Sequence, residues 1–138
     1  MDNCKLIQQA MKAMHFAYSP YSNFMVGAAL LGNDGKVYLG CNIENASFSA
    51  TNCAERTAIF KAVSDGTTNF KKIAIVGGQN GVITDFVVPC GICRQVLCEF
   101  CDDDFTVVLA KSEDDYIEYR LNELLPISFN KSHLGGKR

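Results

Sequence analysis

The stretch "KKIAIVGG", residues 71–78, is a short apolar run in the middle of the chain. Its apolar residues follow one another without polar alternation, which is typical of a strand that is buried on both faces of a sheet. Such strands are common where helices cover both sides of a parallel sheet. This run therefore predicts an α/β fold.

Four further stretches read as strands on either side of this run. "MVGAALL" (25–31) and "KVYLGC" (36–41) flank Asn33-Asp34-Gly35, which is a strong hairpin signal. "FTVVLA" (105–110) predicts another buried strand, and the alternating "YIEYRL" (116–121) predicts a final one. The sequence thus predicts five strands.

Apolar residues at helical spacing predict the elements between these strands, namely helices at 3–17, 53–64, 91–101 and, more briefly, 122–126. Alternation of strands and helices in the middle of the chain implies parallel crossovers. We therefore predict one domain over residues 1–138, a three-layer α/β/α sandwich with a mixed five-stranded sheet. We expect residues 130–138, which carry little apolar content, to be a mobile tail.

Composition limits the classes of partner. The chain has 138 residues and a net charge of −2, so it lacks the positive charge with which proteins bind nucleic acid polymers. The polar residues of its N-terminus do not fit a secretory signal, and its longest apolar run is too short to span a bilayer. We expect a cytoplasmic protein that acts on a small molecule, away from membranes.

Seven cysteines are many for a protein of a reducing compartment, where cysteine clusters more often bind metal or act in catalysis than form disulfides. Three of them, Cys53, Cys90 and Cys93, occur in informative sequence contexts. The other four have no telling spacing, and we expect them to be small buried hydrophobic residues; they are Cys4, Cys41, Cys98 and Cys101.

Cys90 and Cys93 form a C-x-x-C motif at the start of a predicted helix, where both sulfurs lie on one face. Such a motif can hold a metal ion, and it can equally act as a redox dithiol. Cys53 also lies at a predicted helix start, so that two docked helices would bring three sulfurs together. Three ligands with one open position are typical of a catalytic Zn²⁺ site, whereas a closed structural zinc would need a fourth ligand.

Two charged residues follow Cys53 directly. Glu55 is about 200° from Cys53 around an ideal helix, which favours a proton-transferring role beside the metal over direct ligation. Arg56 could offset the excess negative charge of three thiolates. The alternatives are a solvated glutamate that the helix dipole favours and a surface arginine that pairs with another carboxylate.

The motifs "CAER" (53–56) and "PCGICRQ" (89–95), preceded by "FMVGAALL" and "GCNIENASF", closely resemble those of the small homotetrameric cytidine deaminases. The similarity runs from the first helix to Phe129. It implies one Zn²⁺ per chain on Cys53, Cys90 and Cys93, with water activated by the metal attacking C4 of cytosine and Glu55 shuttling protons to N3 and the departing amino group. It also implies a homotetramer with active sites shared between subunits.

The same resemblance assigns the substrate contacts. Asn42 and Glu44 would bind the ribose, Phe24 and Ala54 would line the base site, and Phe129 would reach in from a neighbouring subunit. Phe48 stands where relatives often have tyrosine, so a hydroxyl contact across the subunit boundary is expected to be missing. The implied reaction converts cytidine and deoxycytidine to uridine and deoxyuridine with release of ammonia, in pyrimidine salvage. The alternatives are a noncatalytic zinc or redox module and a deaminase of a related nucleoside.

Overall fold

The centre of the molecule is a mixed sheet of five strands, as seen in a computed structural model that describes residues 1–136. The strands are β1 (Phe24–Gly32), β2 (Val37–Cys41), β3 (Phe70–Gln79), β4 (Thr106–Ser112) and β5 (Asp115–Arg120). Their order across the sheet is β2-β1-β3-β4-β5. β3 and β4 pair in parallel, and the other neighbours are antiparallel. The predicted hairpin and the predicted mixed sheet are confirmed.

Helices cover both faces of this sheet. They are α1 (Asn3–Met14), α2 (Ala54–Ser64), α3 (Gly91–Phe100) and the short α4 (Leu121–Leu124). Along β1, Ala28 and Leu30 belong to the core under α2 and α3, whereas Ala29 and Leu31 pack with α1. Because successive side chains of a strand point to opposite faces, one apolar strand supplies both cores. The predicted three-layer α/β/α arrangement is confirmed.

The first helix ends earlier than predicted. It stops at Met14 instead of residue 17, because Tyr18 leaves the helical path to pair with the segment after β2. The Tyr18 N–H donates to Asn42 O at 2.9 Å, and the Glu44 N–H donates to Tyr18 O at 2.8 Å. His15, expected within the helix, therefore caps its C-terminus.

The sheet topology places two helix starts side by side. β2 and β3 both pair antiparallel to β1, so they run in the same direction and their carboxyl ends meet at one edge. The chain passes from these ends into α2 and α3. In α/β proteins this is where ligands bind.

Smaller features complete the fold. Short 3-10 helices at Phe48–Ala50 and Lys131–Leu134 were not predicted, and the second lies within the tail expected to be mobile. Residues 137 and 138 of that tail lie outside the described residues, and its mobility stays a prediction. Within residues 1–136, no helix is long and apolar enough to cross a membrane.

The four remaining cysteines divide into two pairs. Cys98 and Cys101 are buried, as predicted. Cys4 and Cys41 are only half-buried, and for them the prediction is wrong. The reason is position, because Cys4 lies in the first turn of α1 and Cys41 ends the edge strand β2.

Candidate metal centre and active site

Three cysteine sulfurs meet where α2 and α3 begin. Cys53 and Cys90 are the N-cap residues of the two helices, and Cys93 lies in the first turn of α3. The three Sγ atoms lie within 4.8 Å of one another, and those of Cys53 and Cys90 are 3.8 Å apart. The structure thus brings Cys53 to the Cys90–Cys93 motif, which begins 37 positions further along the chain.

This geometry fits a zinc ion. Sulfurs in tetrahedral coordination at a Zn–S distance of about 2.3 Å lie about 3.8 Å from one another. Within residues 1–136 the cluster contains three potential ligands, and neither histidine belongs to it. Three thiolates leave one tetrahedral position for water or substrate, which is the pattern of a catalytic site.

Local electrostatics favour a thiolate at Cys53. A hydrogen bond from Cys93 lowers the pKa of Cys53 to about 5, with a further contribution from Arg56 and against the opposing effect of burial. Arg56 Nη2 donates to Cys53 Sγ at 3.3 Å. The pKa of Cys93 is raised, because Cys93 donates to Cys53 and is buried. A divalent cation between these sulfurs would replace the shared proton.

Glu55 lies beside the cysteines and is removed from solvent. Its side chain is only 4% exposed, so the solvated first-turn glutamate that the sequence left open is excluded. Burial raises the pKa of Glu55 to about 7, and its carboxylate lies within hydrogen-bonding reach of Cys93. A carboxyl group with a pKa near neutrality can both accept and donate a proton, which general acid–base catalysis requires.

A cavity of about 160 Å³ opens next to this cluster, and Val26, Asn42, Cys53, Ala54, Glu55 and Cys90 contribute to its walls. A second cavity of about 370 Å³ is lined by Tyr21, Ser22, Glu44, Phe48 and Thr51. Thr51 lines both cavities. The first cavity is smaller than usual sites for drug-sized ligands, so it would hold only part of such a molecule. The second could hold the rest.

Comparisons with known proteins agree with this site. The sequence profile described as the cytidine and deoxycytidylate deaminase zinc-binding region matches residues 1–109. A curated cytidine deaminase of Sporosarcina psychrophila is 52% identical over 134 residues, covering 97% of this chain and 96% of that protein. The chain belongs to the cytidine and deoxycytidylate deaminase family.

Two further members of the deaminase family support this assignment. The cytidine deaminase of Halalkalibacterium halodurans is 49% identical over 94% of this chain and 95% of its own length. The crystal structure of cytidine deaminase from Burkholderia pseudomallei is 46% identical and superposes with a TM-score of 0.86, covering 94% of this chain and all of that chain. The fold is therefore that of the deaminase family.

Of the side chains predicted to bind ribose, Asn42 is held by the start of β1, and Glu44 by the segment just before it. Asn42 Nδ2 donates to Phe24 O at 2.7 Å, and Asn42 Oδ1 accepts from Val26 N at 2.9 Å. Glu44 accepts from the N–H groups of Tyr21 and Ser22 at 2.9 and 3.2 Å. Asn42 lines the small cavity and Glu44 the larger one, so the structure places them in adjoining chambers.

The three residues predicted to contact the base differ in burial and in their position relative to the cavities. Ala54 is buried at the start of α2 and lines the small cavity. Phe24, at the start of β1, is exposed and anchored through its backbone to Asn42. Phe129 is 57% exposed and stacks on His133, and it is not among the residues that line either cavity of its own chain.

Two polar residues near Cys53, Asn52 and Thr57, were not singled out from the sequence. The Thr57 hydroxyl donates to Cys53 O at 3.1 Å, and Asn52 Nδ2 donates to Thr57 Oγ1 at 3.1 Å. These hydrogen bonds stabilise the backbone of Cys53, a candidate metal ligand. The spacing of four residues between Cys53 and Thr57 on one helix face was the available signal.

Proposed function

We propose that this protein is a zinc-dependent hydrolase that converts cytidine and deoxycytidine to uridine and deoxyuridine with release of ammonia. The observation that carries this proposal is the cluster of three cysteine sulfurs with a buried glutamate beside it. A noncatalytic zinc site would have no need of a buried carboxyl group next to the metal, since its burial is unfavourable.

Cys53, Cys90 and Cys93 are the proposed ligands of one Zn²⁺ per chain. Zinc held there supplies Lewis-acid activation of a water molecule near neutral pH. Glu55 takes one proton from the attacking water and passes it to N3 of the ring. It then takes the second proton from the oxygen added at C4 and passes it to the amino group, which leaves as ammonia. Arg56, through its hydrogen bond to Cys53, offsets part of the thiolate charge.

The two adjoining cavities are proposed to hold the two parts of the nucleoside, the base and the sugar. The base enters the small cavity against Ala54, with C4 towards the cysteines, while the sugar lies near Asn42 and Glu44. Phe24 lines neither cavity, and its contact with the base is proposed from the family resemblance. Glu44 carries a negative charge, which would repel a 5′-phosphate and so favour free nucleosides. Phe129 completes the base site of a neighbouring subunit.

Assembly as a homotetramer with shared active sites is part of the proposal. Phe48 is 75% exposed and Phe129 57% exposed. Phe48 lines the larger cavity, and Phe129 O accepts from Gln95 Nε2 on α3. Contacts between copies would cover these rings, and the mass of the protein in solution tests this point.

We further infer that residues 1–138 form one domain and that the enzyme works in the cytoplasm, in pyrimidine salvage. The seven cysteines support a reducing compartment, where clustered cysteines more often bind metal or act in catalysis than form disulfides. The net charge of −2 supports a small nucleoside substrate over a nucleic acid polymer.

Side-by-side assays of cytidine, deoxycytidine, cytidine monophosphate and free cytosine test this function. The proposal expects rapid release of ammonia from the two nucleosides and poor turnover of the monophosphate. A preference for the monophosphate would contradict the nucleoside assignment. A redox module would instead show a Cys90–Cys93 disulfide, no tightly bound zinc and no deamination.

A further inference from the structure

The segment before β1 forms a cradle of hydrogen bonds around the Glu44 carboxylate. The N–H groups of Tyr21 and Ser22 donate to Glu44 Oε1 at 2.9 and 3.2 Å. The Ser22 hydroxyl donates to the other oxygen, Oε2, at 2.5 Å. Ser22 therefore holds both oxygens of this carboxylate, one through its backbone and one through its side chain.

The same hydroxyl also holds the backbone of Phe24. The Phe24 N–H donates to Ser22 Oγ at 3.0 Å. A serine hydroxyl has one proton to donate and lone pairs to accept with, so it can serve both partners at once. One side chain thus links the residue proposed for the sugar with the residue proposed for the base.

The position of Ser22 does not depend on Glu44 alone. Gln79 Nε2, at the end of β3, donates to Ser22 O at 2.8 Å, and the Asn80 N–H donates to Asn23 O at 2.7 Å. Asn23 has a φ of 58°, a left-handed conformation that costs free energy for residues other than glycine. These bonds attach the segment before β1 to the end of β3, so the backbone of Ser22 is held in place independently of Glu44.

The Glu44 carboxylate has one hydrogen-bond acceptor position left for a ligand. An ionised carboxylate has about four lone-pair positions, two on each oxygen. Oε1 already accepts two N–H groups, and Oε2 accepts the Ser22 hydroxyl. One position on Oε2 therefore remains. Since Glu44 lines the larger cavity, this position suits a single hydroxyl donor bound there. The hydrogen bond from Ser22 also lowers the pKa of Glu44, keeping it an acceptor.

We propose that Ser22 is a positioning residue for the substrate, which aims Glu44 Oε2 at one sugar hydroxyl and fixes Phe24 against the base. This inference rests on the proposed deaminase function and deepens it. Ser22 acts through Glu44 and Phe24 and lies apart from the cysteine cluster, so its removal should weaken binding of nucleosides without slowing the chemical step.

The test compares three variants of the full-length protein in the cytidine assay. In Ser22→Ala we expect KM for cytidine to rise about five- to tenfold, from the loss of a charge-assisted hydrogen bond, with kcat within about twofold. Ser22→Thr keeps the hydroxyl and should restore most of the affinity. Ser64→Ala is the matched control, because Ser64 is also exposed and its hydroxyl donates to Lys61 O at 2.9 Å, on the last turn of α2.

A second measurement separates positioning from a general loss of structure. Uridine binding by calorimetry should weaken in Ser22→Ala by the same factor as KM. In a Glu44→Ala background, the additional effect of Ser22→Ala should be clearly smaller, because the two residues act together. The melting temperature and zinc content should match those of the wild type.

Several outcomes would overturn the inference. Unchanged KM and uridine affinity in Ser22→Ala, or full additivity with Glu44→Ala, would show that Ser22 does not act through Glu44. A fall in kcat with loss of zinc would show a merely structural role. If the wild-type chain itself did not deaminate cytidine, the proposed function would fail and this inference with it. An active wild type matched by Ser22→Ala refutes the role of Ser22 alone.

Discussion

Replacing Gly40 with alanine should displace α2 and disturb the metal centre that α2 helps to form. Gly40 lies on β2, directly beneath the start of α2. A Cβ atom there would lie 2.3 Å from Ala54 O and 2.5 Å from Ala58 N. Both atoms belong to the helix backbone, so no side-chain rotation can relieve the clash. Ala54 is the residue between Cys53 and Glu55.

The size of the effect follows from these distances. Ordinary van der Waals contact begins at 3.4 Å, so α2 must move by about 1 Å away from β2. Overpacking of this kind typically costs about 1–3 kcal/mol, and we expect the upper part of that range because the contact is with backbone. This corresponds to a fall in melting temperature of about 10 °C. A shift of about 1 Å in catalytic groups can lower activity about a hundredfold.

Thermal unfolding, zinc content and cytidine turnover of Gly40→Ala measure these effects. Gly91→Ala is the control for stability. A Cβ at Gly91 meets no atom within 4 Å in the described part of the chain, and alanine is a better helix former. The control should melt at or slightly above the wild-type temperature. If Gly40→Ala melted and turned over like the wild type, the close contact between β2 and α2 would be refuted.

Two further predictions concern charges at the site. Arg56→Ala removes the hydrogen bond to Cys53 Sγ, and zinc affinity in a chelator competition should fall about ten- to a hundredfold; equal affinities would contradict the role of Arg56. Glu55 has a pKa of about 7 and must be ionised to accept a proton, and its ionised form is lost as the pH falls. The value of kcat/KM should therefore drop about tenfold per pH unit below 7 and level off above it, whereas a flat profile down to pH 5 would exclude Glu55 as the base.

Local patterns predicted the elements of this fold well. The apolar run at 71–78 became the central part of β3, and Asn33-Asp34-Gly35 became the connection between β1 and β2, with Gly35 at a φ of 87°. These signals depend on the residues within each element, so one sequence suffices to detect them. The early end of α1 was missed because it depends on a pairing between Tyr18 and Ile43, which are distant in sequence.

The candidate site could be predicted from the sequence only in part. Cys53, Cys90, Cys93 and Glu55 carry a spacing and a residue chemistry that few other functions share. The hydrogen bonds that hold Glu44, by contrast, come from Tyr21 and Ser22 on another segment. Nothing in the local sequence of residues 42–45 indicates them. Contacts of this kind become visible only when the fold brings the two segments together.

The most direct test of the central claim is to measure zinc content and cytidine turnover of Glu55→Gln on the same purified sample. Glutamine keeps the shape of the side chain but cannot carry protons, and it leaves the three cysteines in place. We expect about one zinc per chain, as in the wild type, and turnover lower by at least about a hundredfold. A variant that retained its zinc and deaminated cytidine at the wild-type rate would contradict the proposed mechanism.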